Sequence, residues 1–154
     1  MHTIYAGTIG FEYSYIREVD VKEWLRNKIE KEALAFNPSV DKKKRILQKL
    51  NEAVVFENFL GTKYLGQKRF GLEGGESTIA GLDAIINTAA DAGVKEAMIG
   101  MAHRGRLNVL ANIMHKSYES IFDGFEGNVP EQIHGDGDVK YHLGYSSKHI
   151  SPQG

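Results

Sequence analysis

The 154 residues are 42% hydrophobic and 25% charged, a globular composition long enough to bury one core. Lys and Arg number 19 against 20 Asp and Glu; a net charge of −1 excludes a broad basic surface for nucleic acid or acidic lipid. Cysteine is absent, which excludes disulfides and thiolate metal sites. No run nears the roughly 20 apolar residues of a membrane span, and Met1-His2-Thr3-Ile4-Tyr5 lacks a leader's basic-then-apolar plan. The expectation is a cytoplasmic protein, or a mitochondrial matrix protein if the source is eukaryotic.

Residues 1–17 read as irregular, with Phe11–Ile16 a candidate strand. Asp20 can cap a first helix to about residue 35, with Val21, Trp24, Leu25, Ile29 and Ala33 on one face. Asn37-Pro38-Ser39 breaks it. A second helix is predicted from Asp41 to Leu60, ending at Gly61. Its Lys42-Lys43-Lys44-Arg45 start reads as a solvated face, with a basic docking patch as the alternative. A glycine-spaced connection follows over 61–75. Ile79, Leu82, Ile85, Ile86 and Ala89 then repeat at helical spacing, closed by Gly93.

The apolar run at 95–101 reads as a buried strand, and a helical pattern occupies about 105–115. Helix, strand and helix in succession suggest a parallel sheet. Tyr118–Phe125 is a further short helix, and residues 126–145 read as loop. The fold class expected is therefore α/β. A helix-rich segment at 1–66 leads into an incomplete α/β domain at 67–154.

Between the predicted strand and helix stand His103, Arg104, Gly105 and Arg106. In open α/β sheets this junction binds ligands, and helix N–H groups there attract anions. A titratable imidazole and two guanidiniums at such a point make a candidate phosphate or carboxylate site; the alternative is a surface turn with paired arginines. Gly135-Asp136-Gly137 imitates the start of a thiamine diphosphate metal motif, which needs an Asn about 25–30 residues later. Only 17 residues follow Gly137 and none is Asn, so no metal ligands are assigned. His142 is either a loop histidine or a second proton-transfer group. A metal site from His103, His134 and His142 has no support in spacing.

Three blocks then stand out together: Lys68-Arg69-Phe70-Gly71-Leu72-Glu73-Gly74-Gly75, Gly100–Leu110 around His103-Arg104-Gly105-Arg106, and Gly137–Gly144 around Lys140-Tyr141-His142. With Tyr5–Tyr13 before them, their order and spacing resemble the 2-oxoglutarate dehydrogenase family, the thiamine diphosphate-dependent first component of the 2-oxoglutarate dehydrogenase complex. The resemblance implies oxidative decarboxylation of 2-oxoglutarate and transfer of the succinyl unit to a lipoyl group. It implies thiamine diphosphate and Mg²⁺ as cofactors, a lipoylated dihydrolipoyl acyltransferase as partner, and a homodimer. By the same resemblance His103 and His142 match active-site histidines, His142 one associated with substrate, and Arg104 a residue contacting the cofactor diphosphate. Residues 67–154 would then begin a partial thiamine diphosphate-binding fold with parallel strands. The metal ligands and the glutamate that activates the cofactor are expected outside this chain, which alone should be inactive. Two alternatives stay open: a relative acting on 2-oxoadipate, and a stand-alone non-catalytic anion-binding module.

Overall fold

A computed structural model describes residues 1–33, 35–127 and 144–152. The chain divides into two compact units, Met1–Lys42 and Lys43–Gly154. The first holds α1 (His2–Tyr5) and α2 (Val19–Glu32). Its small centre is Ile4, the one buried residue of α1. Tyr5 adds an edge-to-face contact with Phe11 at 6.4 Å, and its hydroxyl donates to Glu30 Oε1 at 3.0 Å. The helix expected here forms, but it starts at Val19 after Glu18, leaving Asp20 in the first turn where its charge suits the dipole. No residue of α2 is buried, and Val21 and Trp24 of the predicted apolar face are exposed. Phe11–Ile16 is not a strand: residues 14 and 15 are a turn, with Ile16 N–H donating to Tyr13 O at 3.2 Å.

The second unit is built around α3 (Val40–Lys63), all but its first turn. Ser39 Oγ accepts from Lys42 N–H at 3.2 Å and so caps its start. The helix runs through Gly61 rather than ending there. It is followed by α4 (Ser77–Asp91), α5 (Arg106–Asn112) and α6 (Tyr118–Glu126). The four helices enclose two apolar clusters. In one, Phe56, Leu60 and Tyr64 meet Leu107, Leu110, Ala111 and Ile121. In the other, Ala53 meets Leu72, Ile79, Val109 and Ile113. Six of the seven residues of α5 are buried, on every side of the helix, as expected of a helix inside a core.

The helix-rich expectation holds, but the predicted parallel strand does not appear: no strand occurs among the described residues. Residues 94–100 are non-helical and mostly exposed, and Met98 is fully so. A strand exists only through a neighbour that accepts its ladder bonds, and no described segment pairs with this run. The apolar run at 95–101 is thus neither a strand nor buried in this chain.

The basic start of α3 is not a uniformly solvated face. Arg45 turns inward to Asp83, bonding both carboxylate oxygens at 2.9 and 2.7 Å. Burial pushes the Asp83 carboxyl up, but the Arg45 bonds, with Lys49 and His149 nearby, outweigh it and hold the group below the ordinary range. A depressed carboxyl stabilises the fold above its unfolded pKa and loses that contribution as pH falls through the folded value. Arg45→Met is thus expected to cost about 1–2 kcal/mol at neutral pH, since Arg45 is partly exposed, and nothing once Asp83 is protonated. Urea titrations at pH 7 and at successively lower pH check the sign: the cost should shrink as pH falls below the ordinary carboxyl value of 3.8.

Candidate functional site

The turn before α5 rests on the loop that joins α3 to α4. Gly105 N–H donates to Phe70 O at 2.8 Å, and Arg104 Nη2 donates to Glu73 O at 2.7 Å. The His103 and Phe70 rings lie 5.0 Å apart, tilted by 33°. Leu72 packs directly on Gly105, where a Cβ would overlap Leu72 Cδ1. Gly105 also has φ 72°, so the turn needs glycine twice: for backbone conformation and for the closeness of Leu72. Phe70, at φ 43°, takes a left-handed conformation costly to a bulky residue and is held there by the bond to Gly105.

Beneath this contact is a buried polar network. Glu57, on the core face of α3, is 3% exposed. Its Oε2 accepts from Arg69 Nη1 at 3.0 Å and its Oε1 from Asn108 Nδ2 at 3.0 Å. Asn108, wholly buried, also donates to Ala53 O at 3.0 Å and accepts from Asn112 Nδ2 at 2.7 Å. Arg69 reaches onward to Glu73 with its other nitrogen. Gly71 has room only because it lacks a side chain: a Cβ would stand 2.7 Å from both Glu57 Oε2 and Arg69 Nη1. Burial pushes the Glu57 carboxyl up, only partly opposed by Asn108, the Leu72 N–H and Arg69. Its own backbone N–H, with Arg69 and Arg104, holds Glu73 below the ordinary carboxylate range despite some burial. Lys49, buried at the other end of the network, donates to Glu52 Oε2 at 2.8 Å and to Asn112 O at 3.2 Å.

Of the predicted site residues, His103 and Arg104 are both exposed on the turn, adjacent and pointing no charge into the core. Arg106 is half-buried and donates to Met101 O at 3.2 Å. His142, with His134 and Asp136, lies outside the described residues. The first amides of the turn are engaged internally, Gly105 with Phe70 and Arg106 with His103 O at 3.1 Å. Anion binding here would therefore fall to side chains rather than to the seven-residue helix. Phe70 and Glu73 stand in the 68–75 block that carries the resemblance but have no role assigned from sequence, and Glu57 is not singled out there at all. The signal for Glu57 was present: a lone carboxylate within the Ala53-Phe56-Leu60 stripe of α3. A small cleft in the first unit, lined by Thr3, Ile4, Ile9 and Phe11 among others, carries no charged group. It offers no comparable chemistry.

No protein-family model matches the chain. Individual proteins do. A multifunctional 2-oxoglutarate metabolism enzyme of Mycolicibacterium vanbaalenii is 53% identical over 95% of this chain. A 2-oxoglutarate dehydrogenase E1/E2 component of Corynebacterium glutamicum is 50% identical over 97% of it, and an E1 component of Brucella anthropi 50% identical over 93%. Over almost its whole length the chain is thus similar to a segment of proteins named for 2-oxoglutarate dehydrogenase E1. It spans only 12% of the first two relatives and 14% of the third. The turn with His103 and Arg104 and the loop with Phe70 and Glu73 are thus a local assembly within an E1-type sequence. No described helix is long and apolar enough to cross a membrane.

Proposed function

We propose that this chain supplies part of the active site of a thiamine diphosphate-dependent enzyme that oxidatively decarboxylates 2-oxoglutarate and passes the succinyl unit to a lipoylated acyltransferase. The observation that carries the reading is identity near 50% along almost the whole chain to E1 proteins, with His103 and Arg104 exposed side by side at its centre. Residues 67–154 would begin the thiamine diphosphate-binding domain, whose parallel sheet needs strands from elsewhere in a longer chain or its homodimer partner.

The donor set fits the cofactor's diphosphate. Arg104 presents a permanent planar cation, suited to phosphate oxygens, and its link to the Glu73 carbonyl steadies the fork. Gly74 beside it takes φ 84°, a left-handed turn that glycine adopts without strain. His103 offers an exposed imidazole that can hold or move a proton, or bind a carboxylate of the 2-oxo acid. His142 is proposed as a second such group, contacting substrate. Bound thiamine diphosphate would supply the electron sink for loss of carbon dioxide. The Mg²⁺ ligands are proposed to lie outside this chain.

The test is calorimetry with thiamine diphosphate and Mg²⁺. A full-length protein carrying this segment should bind, and Arg104→Ala should weaken binding about tenfold through loss of a charge-assisted pair. The 154-residue chain alone should show no micromolar binding. Unchanged affinity in the Arg104 variant would remove the diphosphate role. Turnover of 2-oxoadipate in preference to 2-oxoglutarate would move the substrate by one methylene.

A further inference from the structure

We propose that Glu57 is a positioning residue that sets the geometry of the His103–Arg104 turn from beneath. The inference rests on the reading of that turn as part of a thiamine diphosphate and 2-oxo acid site. Glu57 touches neither predicted ligand. Its carboxylate bonds both to the loop under the turn, through Arg69 at 3.0 Å, and to the helix after it, through Asn108 at 3.0 Å. Each tether ends beside a site residue. Arg69 precedes Phe70, whose ring faces His103 and whose carbonyl holds Gly105. Arg69 also grips Glu73, whose carbonyl holds Arg104. Asn108 lies in the first turn of α5, two residues after Arg106.

The geometry excludes a looser fit. A Cβ on Gly71 would crowd Glu57, Arg69 and Glu73 at once, so loop and carboxylate are already at closest approach. Asn108 is locked in turn by Ala53 O and Asn112, so Glu57 bonds to a rigid donor on one side and a quarter-exposed one on the other. Without the carboxylate the loop and α5 would each still pack on α3, and the Gly105–Phe70 and Arg104–Glu73 bonds would still join loop to turn, but the described tether that fixes both to α3 from beneath would be gone. Displacements near 1 Å at such a site can cost about a hundredfold in rate.

A glutamine can inherit the role. Its carbonyl can still face Arg69, while its amide donates to Asn108 once the Asn108 and Asn112 amides turn over and Asn112 donates to the Tyr118 hydroxyl, 3.4 Å away. The bond to Ala53 is given up and the turned Asn108 Oδ1 is left facing Ala53 O, so the rescue is partial. A leucine cannot do this. The two variants therefore separate hydrogen-bonded positioning from filling of space.

The experiment uses the full-length protein carrying this segment, assayed for 2-oxoglutarate-dependent reduction of an artificial electron acceptor at varied thiamine diphosphate and varied 2-oxoglutarate. Loss of folded enzyme lowers the rate ceiling and leaves half-saturating concentrations unmoved; a displaced turn moves them. Glu57→Leu is expected to raise both half-saturating concentrations about tenfold, and Glu57→Gln to recover a clear part of that loss. If the leucine variant does not fold, Arg69→Met, which cuts the same tether at a partly exposed residue, should give the same rise. The proposal is overturned if the foldable variant shows only a lower ceiling at unchanged half-saturation, or if glutamine fares as badly as leucine. A parent protein that thiamine diphosphate does not activate would instead overturn the functional reading, whatever Glu57 does.

Discussion

Gly105→Ala is expected to cost about 2–5 kcal/mol. Two separate penalties add. A left-handed conformation costs an L-residue about 1–2 kcal/mol, and a methyl forced against Leu72 in a packed core costs about 1–3 kcal/mol. Gly74 isolates the first term. It has φ 84° but no neighbour closer than Arg104 Nη2 at 3.9 Å, so Gly74→Ala should lose only about 1–2 kcal/mol. The measurement is the local opening free energy from hydrogen exchange of the α5 amides in both variants. Equal losses at the two positions would show that Leu72 yields freely and that the close approach carries no energy.

Asn108→Leu is expected to cost about 2–5 kcal/mol, although the two side chains share the same branched outline. The change leaves Glu57 Oε1 and Asn112 Nδ2 buried without their partner, and each such group carries a desolvation penalty of about 1–3 kcal/mol. The loss should depend on pH. The Glu57 carboxyl is raised by burial, and Asn108 is the first group that opposes the rise, so its removal raises the carboxyl further. A group with a raised folded pKa contributes fully below its unfolded value of 4.5 and loses that contribution as pH rises through the folded value. The cost of Asn108→Leu should therefore be smaller near pH 4 than near pH 8. Hydrogen exchange or urea titration at both values checks the sign; a cost independent of pH would mean that Glu57 does not change its charge in that range.

The helices were legible because their signals are local. Ile79, Leu82 and Ile86 fix the face of α4 at helical spacing, and the Asn37-Pro38-Ser39 break sits where α3 begins. Boundaries slipped where tertiary contact overrode a local rule. Gly61 lies inside α3, with a Cβ position only 3.2 Å from Arg69 Nη2, so its value is closeness to that side chain rather than termination. The helix expected over 105–115 stops at Asn112, and His115 follows at φ 57°. The run at 95–101 failed for a different reason: periodicity reports what a segment would do beside a neighbour, and it cannot supply the neighbour. His103 and Arg104 were legible as a pair from the turn and its charge. Their setting was not, because the loop at 69–73 and Glu57 meet the turn only through the fold. Arg45 was misread for the same reason, its partner Asp83 lying 38 positions away.

The brevity of α5 has a consequence for how the candidate site comes into being. A helix of seven residues is far below the roughly 12–15 that an isolated helix needs in water, so α5 has no independent existence. Its apolar residues gain their environment only when α3 and α6 close around them. During synthesis, which proceeds from the N-terminus, the histidine and arginine would leave the ribosome before α6 does and wait without fixed shape until it arrives. The turn that carries His103 and Arg104 is thus a late product of maturation, ordered by residues that follow it in the chain.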